Sequence, residues 1–203
     1  IYDLEGHICT NGSMTLKDRV SSRTGTVVRR LIAAGGIVLG KSKTVESAFG
    51  GWGTNQKMGT PWNPWDLENH RIPGGSSSGS GVATAAGLAV CGIGSDTGGS
   101  VRLPAAYCGI TGLKVTQGQL PCDGIAPLAQ TLDTPGPMAQ TVADTVILYE
   151  VMLGRESGAI DRDLQAGNGL YHMMSKGVRG LKLGQMAPAE RENCSADILA
   201  GYD

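Results

Sequence analysis

Glycine is the feature that most limits what this chain can fold into. It supplies 32 of the 203 residues, about 16% against a usual ~7%. There are only 9 prolines and no collagen-type repeat. Glycine in this amount belongs to tight turns and to places where backbone packs directly on backbone. Hydrophobic residues make up 40% of the chain and charged residues 17%, which suits one domain or a large piece of one. The net charge of −1 argues against nucleic acid, whose phosphates need an excess of Lys and Arg. The longest apolar stretch, Gly81–Ile93, is interrupted by Thr84 and several glycines, far short of the ~20 residues of a membrane span. Ile1–Gly12 holds Asp3, Glu5 and His7 with neither a basic start nor an apolar run, unlike a signal peptide. Cys9, Cys91, Cys108, Cys122 and Cys194 are odd in number and lack C-x-x-C spacing. Reduced, mostly buried thiols in a cytoplasmic protein are therefore expected, rather than a zinc site or a disulfide framework.

Periodicity predicts a helix over Gly25–Ala34, capped by Thr24 or Ser22 and stopped by Gly35–Gly36. A short buried strand is expected at Ile37–Leu39, and this alternation points to an α/β layer architecture. Gly50–Asp66 reads as a loop, with Trp52, Trp62 and Trp65 packing it onto the body. Beyond the Pro73–Gly75 turn, a Ser/Gly run passes into an Ala-rich helix at Val82–Leu88 and a buried strand at Leu88–Gly94. Asp96–Ser100 reads as a loop and Leu113–Thr116 as a strand. Thr141 and Asp144 resemble a capping box ahead of a helix that Gly154 ends. Arg155–Gly180 is polar and poorly periodic, Leu181–Gln185 is a candidate strand, and Asp197–Asp203 reads as a helix cut short.

Two motifs mislead. Gly35–Ser42 satisfies the Walker A pattern, but it follows a helix, and its interior residues Ile37, Val38 and Leu39 are stiff strand formers. Gly75–Gly79 fits a G-x-S-x-G elbow around Ser77, yet Pro73–Gly74 precedes it where a strand should end, and His172 has no clear acidic partner. His7, His70 and His172 share no metal-ligand spacing and read as surface or structural residues. The Ser/Gly run is also unlike a linker, because it leads straight into a buried helix and strand. A better account takes Pro73–Gly81 together with Asp96–Arg102. Each sets serine beside glycine at the edge of a buried element, as needed for a nucleophile and for backbone N–H donors around a developing oxyanion.

Together, Gly74–Ser80 and Gly94–Gly109 strongly resemble the signature of the amidase signature family. Gly36–Lys41, Gly112–Lys114 and Leu132–Met138 are similar to the segments that flank it. Ser78 and Val115 depart from the usual Gly and Pro without removing a catalytic atom. The resemblance implies an α/β fold, a mixed twisted sheet covered by helices, and hydrolysis of carboxamides by a Ser–cis-Ser–Lys triad without metal or cofactor. It implies Ser100 as nucleophile and Ser76 as bridging serine within hydrogen-bond reach, with Gly75–Ser76 cis. Thr97, Gly98 and Gly99, with the N–H of Ser100, would form the oxyanion hole. Ser77, Asp96 and Arg102 would support it, the last two as a pair. Phe49 and Gly50, within Ala48–Gly51, would line the substrate site.

The family's lysine stands in a Lys-Asp pair just ahead of a stretch resembling Ile1–Gly6. The base is thus expected before Ile1, rather than at Lys17, Lys41 or Lys114. Residues 1–203 would then be the central part of a single amidase-like domain, without the segment carrying the lysine and without the C-terminal portion. The expected partner is a small-molecule amide, with no nucleic acid and no membrane, and homo-oligomer formation is left open. The alternatives are a component of an amidotransferase and a non-catalytic scaffold of the same fold.

Overall fold

The computed structural model describes residues 1–182 and 184–202. Its sheet has three antiparallel strands in the order β1-β3-β2, formed by β1 (Cys91–Asp96), β2 (Thr111–Gly112) and β3 (Thr134–Ala139). Helices α1 (Thr26–Ala33), α2 (Ser78–Ala85), α3 (Arg102–Cys108) and α4 (Val142–Leu153) surround it. Four shorter or more peripheral helices follow: α5 (Ser157–Ala166), α6 (Gly169–Ser175), α7 (Pro188–Arg191) and α8 (Ala196–Tyr202). The α/β class expected from the sequence is the one found.

The central strand is the least expected element. Its sequence, T-P-G-P-M-A, contains two prolines, which lack the N–H a ladder requires. Antiparallel register places Pro137 opposite Ile93 and Pro135 opposite Ser95. The Pro137 carbonyl accepts from Leu113 N–H at 3.1 Å, so the donor that proline lacks would have faced the two-residue strand β2. Pro135, two residues earlier, shares that side. Both prolines therefore spare the longer β1–β3 ladder.

One core joins Val27 of α1 and Leu148 and Met152 of α4 with Val115 and Leu120. A second, of Val101, Ala105 and Met138 with Ile110 packed against it, joins the start of α3 to β3. The α4 expectations hold: the Thr141 side chain accepts from Asp144 N–H at 3.0 Å, and Gly154 ends the helix in left-handed conformation at φ 89°.

Other expectations shift. Gly25, not Thr24 or Ser22, is the N-cap of α1, and Asp123 supplies the missing acceptor by taking Thr26 N–H at 3.1 Å and Thr26 Oγ1 at 2.9 Å. Asp123→Ala is expected to lower stability by about 1 kcal/mol, measurable by chemical denaturation; an unchanged midpoint would show that water replaces the cap.

Ile37–Leu39 is not a strand. Ile37 and Leu39 are 84% and 73% exposed, and no ladder partner lies beside them among the described residues, which β-propensity alone cannot replace. The helix read at Val82–Leu88 begins at Ser78, where Lys43 carbonyl accepts Gly79 N–H at 2.9 Å. The following strand begins at Cys91, in register with Ala139, leaving Leu88 and Val90 exposed. The strand read at Leu113–Thr116 is instead Thr111–Gly112. The polar stretch after Arg155 holds α5 and α6, joined to α4 by Arg155, which pairs with Glu150 and Asp163 at 2.6 Å each. The described part of Leu181–Gln185 is not a strand, and Leu183 lies outside the described residues. The terminal helix is present as α8, with Asp203 outside the described residues.

Candidate active site

Asp96 organises the loop between β1 and α3. Its carboxylate is fully buried and accepts N–H from Gly99 at 2.7 Å, Val101 at 3.1 Å and Arg102 at 3.3 Å. The Arg102 guanidinium grips both oxygens at 3.0 Å through Nε and Nη2. This fork fits carboxylate geometry and is favourable where planar charge pairs are held rigidly. Burial alone would push the Asp96 carboxyl upward, but Arg102 and the three N–H groups outweigh it and hold it below its ordinary value. The Asp96–Arg102 pair read from the sequence is present.

The loop consequently turns its N–H groups in two directions. Gly99, at φ 124°, gives its N–H to Asp96, which corrects its expected place among the oxyanion donors: the buried carboxylate claims it first. The N–H groups of Thr97, Gly98 and Ser100 make no hydrogen bond among the described residues. A non-glycine residue would be strained at position 99, because positive φ crowds Cβ.

Backbone contacts bring the two serine segments together. Ser77 N–H donates to Ser100 carbonyl at 3.2 Å. Ser77 Oγ accepts Ser95 N–H at 3.2 Å, so Ser77 supports the joint and its hydroxyl is already engaged, unlike that of an elbow nucleophile. Gly94 allows this approach: a Cβ there would stand 2.4 Å from Ser77 Oγ. The Gly75–Ser76 peptide is cis. Ser76 carbonyl accepts Thr44 Oγ1 at 2.8 Å and Val45 N–H at 3.2 Å.

Among the described residues Ser76 Oγ, which is buried, has no hydrogen-bond partner, and Ser100 Oγ has none either. The expected direct bond between the two hydroxyls is thus not formed; the segments meet through Ser77 N–H instead.

The Gly50–Gly51 turn lies against the same segment, with Gly75 N–H donating to Gly51 carbonyl at 2.7 Å. Phe49 beside it is 80% exposed. Sequence reasoning missed the left-handed backbone of Ser47 and Ala48, at φ 53° and 57°, which carries the chain into this turn. It also missed Leu103, whose Cδ1 stands 3.1 Å from the Cβ positions of both Gly51 and Gly99 and so walls the space between them. Thr134 and Asp133 were missed as well: Thr134 Oγ1 donates to Asp96 carbonyl at 2.8 Å, and Asp133 accepts Thr97 Oγ1. Their flanking segment was visible, but the register that brings it to the loop was not.

The lysines discussed above lie elsewhere. Lys17 pairs with Asp18 at 3.9 Å, while Lys41 Nζ donates to Tyr2 carbonyl and Lys114 Nζ to Val115 carbonyl. His70 stacks on Trp62 at 4.4 Å between ring centroids, and His7 Nδ1 meets Glu5 carbonyl. The expected packing of the three tryptophans is not found: Trp65 donates Nε1–H to Cys108 carbonyl at 2.7 Å, but it, Trp52 and Trp62 are all exposed, at 73%, 71% and 44%. Cys9 and Cys108 are buried, Cys91 and Cys122 exposed. Burial pushes the Cys108 thiol up to about 11. Among the described residues no group of three or more His, Cys, Asp or Glu side chains could hold a metal ion, and no helix is long and apolar enough to cross a membrane.

The fold and loop thus define an α/β protein with paired serine-glycine segments held by a buried carboxylate. The profile of the Amidase family matches residues 2–203, and the chain belongs to that family. It is 41% identical over 184 residues to 2-amino-5-chloromuconic acid deaminase of Comamonas testosteroni, covering 91% of this chain and 37% of that protein. It is 47% identical over 157 residues to a glutamyl-tRNA(Gln) amidotransferase subunit of Symbiobacterium thermophilum, covering 74% of this chain and 32% of that one. The crystal structure of the corresponding subunit from Thermotoga maritima aligns with a TM-score of 0.72 at 41% identity, over 77% of this chain and 34% of that one. The chain therefore spans about a third of the length of such relatives.

Proposed function

We propose that this chain carries the nucleophile and oxyanion loop of an amidase that cleaves the C–N bond of a small-molecule carboxamide. Ser100 Oγ attacks the carbonyl carbon, and its proton passes through Ser76 to a lysine located before Ile1. The carbonyl oxygen becomes an oxyanion held by the N–H groups of Thr97, Gly98 and Ser100. Collapse of this adduct expels ammonia or an amine, which takes the proton, and water then cleaves the acyl-serine ester. Phe49 and Gly50 line the approach. Ser77, Asp96 and Arg102 hold the loop. Cytoplasmic residence belongs to the same reading.

The observation that carries it is the division of N–H groups around Asp96. The buried carboxylate gathers those of Gly99, Val101 and Arg102 and leaves three beside the serine without a partner among the described residues. Ser100 is buried, and a buried backbone N–H is ordinarily paired within the protein or by water; one left free beside the hydroxyl, next to those of Thr97 and Gly98, suits a bound carbonyl oxygen.

The second reading, a component that passes ammonia from an amide donor to a partner-bound substrate, is supported by the 47% identity to the Symbiobacterium thermophilum amidotransferase subunit. The test is to assay the protein in its full reading frame on aliphatic and aromatic amides, with and without hydroxylamine. The amidase reading expects turnover by the isolated protein, hydroxamate formation from the acyl-enzyme, and a rate that rises with pH as the lysine becomes neutral. Turnover that requires a co-purifying second protein would favour the transfer reading. A protein inert on the whole panel, with or without partner, would favour a scaffold.

A further inference from the structure

We propose that Asp133 is a positioning residue for the nucleophile loop, acting through the Thr97 hydroxyl, and that it governs turnover rather than substrate binding; this rests on the functional reading above.

Asp133 lies outside both serine-glycine segments. It is buried, and its carboxylate is oriented from its own side of the molecule: Oδ2 accepts Leu128 N–H at 2.9 Å, and Oδ1 accepts Ala129 N–H at 3.0 Å. Among the described residues no salt bridge reaches it. With those two backbone donors fixing the carboxylate plane, the remaining donor is Thr97 Oγ1, from across the sheet end. An O–H donor to a carboxylate makes one of the stronger hydrogen bonds available to a neutral side chain.

The β1–β3 register places this contact. Asp96 and Thr134 are partners at the end of the ladder, and Thr134 Oγ1 donates to Asp96 carbonyl at 2.8 Å. The consecutive residues Asp133 and Thr134 therefore grip the consecutive residues Thr97 and Asp96. The far end of the loop is gripped separately, by the Asp96 carboxylate on Gly99, Val101 and Arg102. Among the described residues of the loop, Thr97 alone is held through its side chain while its N–H has no partner.

Threonine suits this role because it is branched at Cβ. Its stiff χ1 means that holding Oγ1 also limits rotation of its backbone. An oxyanion donor works only when held close to its productive geometry. Asp133 thus acts on the reacting atoms at one remove: carboxylate to hydroxyl, hydroxyl to backbone, backbone N–H to the developing oxyanion. Such support affects charge that exists only in the transition state, so it changes kcat more than KM.

The experiment compares Asp133→Asn, Thr97→Val, Thr97→Ser, the Asp133→Asn/Thr97→Val double variant and Ser100→Ala in the full-length protein, reading kcat and KM separately on one hydrolysed amide. Asp133→Asn and Thr97→Val should each lower kcat by roughly 10- to 100-fold with KM within about 2-fold, less than loss of a whole oxyanion donor. The double variant should be no more than about 3-fold worse than the poorer single variant, since one pathway can be broken only once. Thr97→Ser, which keeps the hydroxyl, should recover most of the turnover lost in Thr97→Val. Wild-type kcat in Thr97→Val, or losses that multiply in the double variant, would overturn the proposal. If Asp133→Asn does not fold, the valine and serine variants at position 97 decide alone. An inactive Ser100→Ala beside a fully active Thr97→Val sinks only the role of Asp133. A fully active Ser100→Ala sinks the functional reading, and this proposal with it.

Discussion

Ser100→Ala in the full-length protein is expected to lose at least about 10⁴-fold in amide turnover, the scale seen when an acyl-accepting serine is removed, and to lose labelling by a fluorophosphonate. Ser100 lies at the end of the loop that leads from β1 into α3, 9% exposed, and its hydroxyl makes no bond among the described residues. Its removal should therefore leave stability within about 1 kcal/mol of the parent, since no intramolecular hydrogen bond is lost. Mass spectrometry of the labelled peptide checks the site directly. Labelling that persists in Ser100→Ala and disappears in Ser77→Ala would move the nucleophile to Ser77, against the structural engagement of its hydroxyl with Ser95.

The largest stability effect is expected at Asp96. Replacing it with Ala leaves the N–H groups of Gly99, Val101 and Arg102 and one guanidinium without their acceptor. Breaking a buried pair from one side typically costs ~3–5 kcal/mol; because the Arg102 side chain is half exposed and can turn to water, about 3 kcal/mol is expected.

The pH dependence has a definite sign. The folded-state carboxyl is held below its ordinary value, so its contribution is fully present above the unfolded pKa, near ~4. It is lost as pH falls through the lower folded value. Parent protein should consequently lose more stability than Asp96→Asn when the pH is lowered from neutral into the acid range, as read by urea denaturation at each pH. Equal acid sensitivity would show that Asp96 is not the group responsible. Activity should fall with Asp96→Asn even at neutral pH, because the amide brings an N–H to a site where every neighbour is already a donor.

Much of the site was legible in local sequence. Ser76, Ser77, Asp96, Arg102 and Ser100 stand in two segments whose residue types leave few other uses, and the Asp96–Arg102 pair follows from their separation by one loop. What was not legible was where each N–H points. Gly99 resembles an oxyanion donor by position, yet its N–H is taken by Asp96. Nor did the strand β3 announce itself, because two prolines normally argue against a sheet interior. Only its neighbours decide whether the missing donors face a partner.

By itself, then, the sequence determined the α/β class, the helix from Thr141 to Gly154, and the serine-glycine segments as the candidate site, because caps, turns and hydrophobic spacing are properties of neighbouring residues. The tertiary structure alone decided that Ile37–Leu39 stays out of the sheet and that Thr134–Ala139 enters it. It also brought Asp133 and Thr134 to the nucleophile loop. Ladder partners and buried acceptors come from distant parts of the chain, and their free energy exists only once those parts have met.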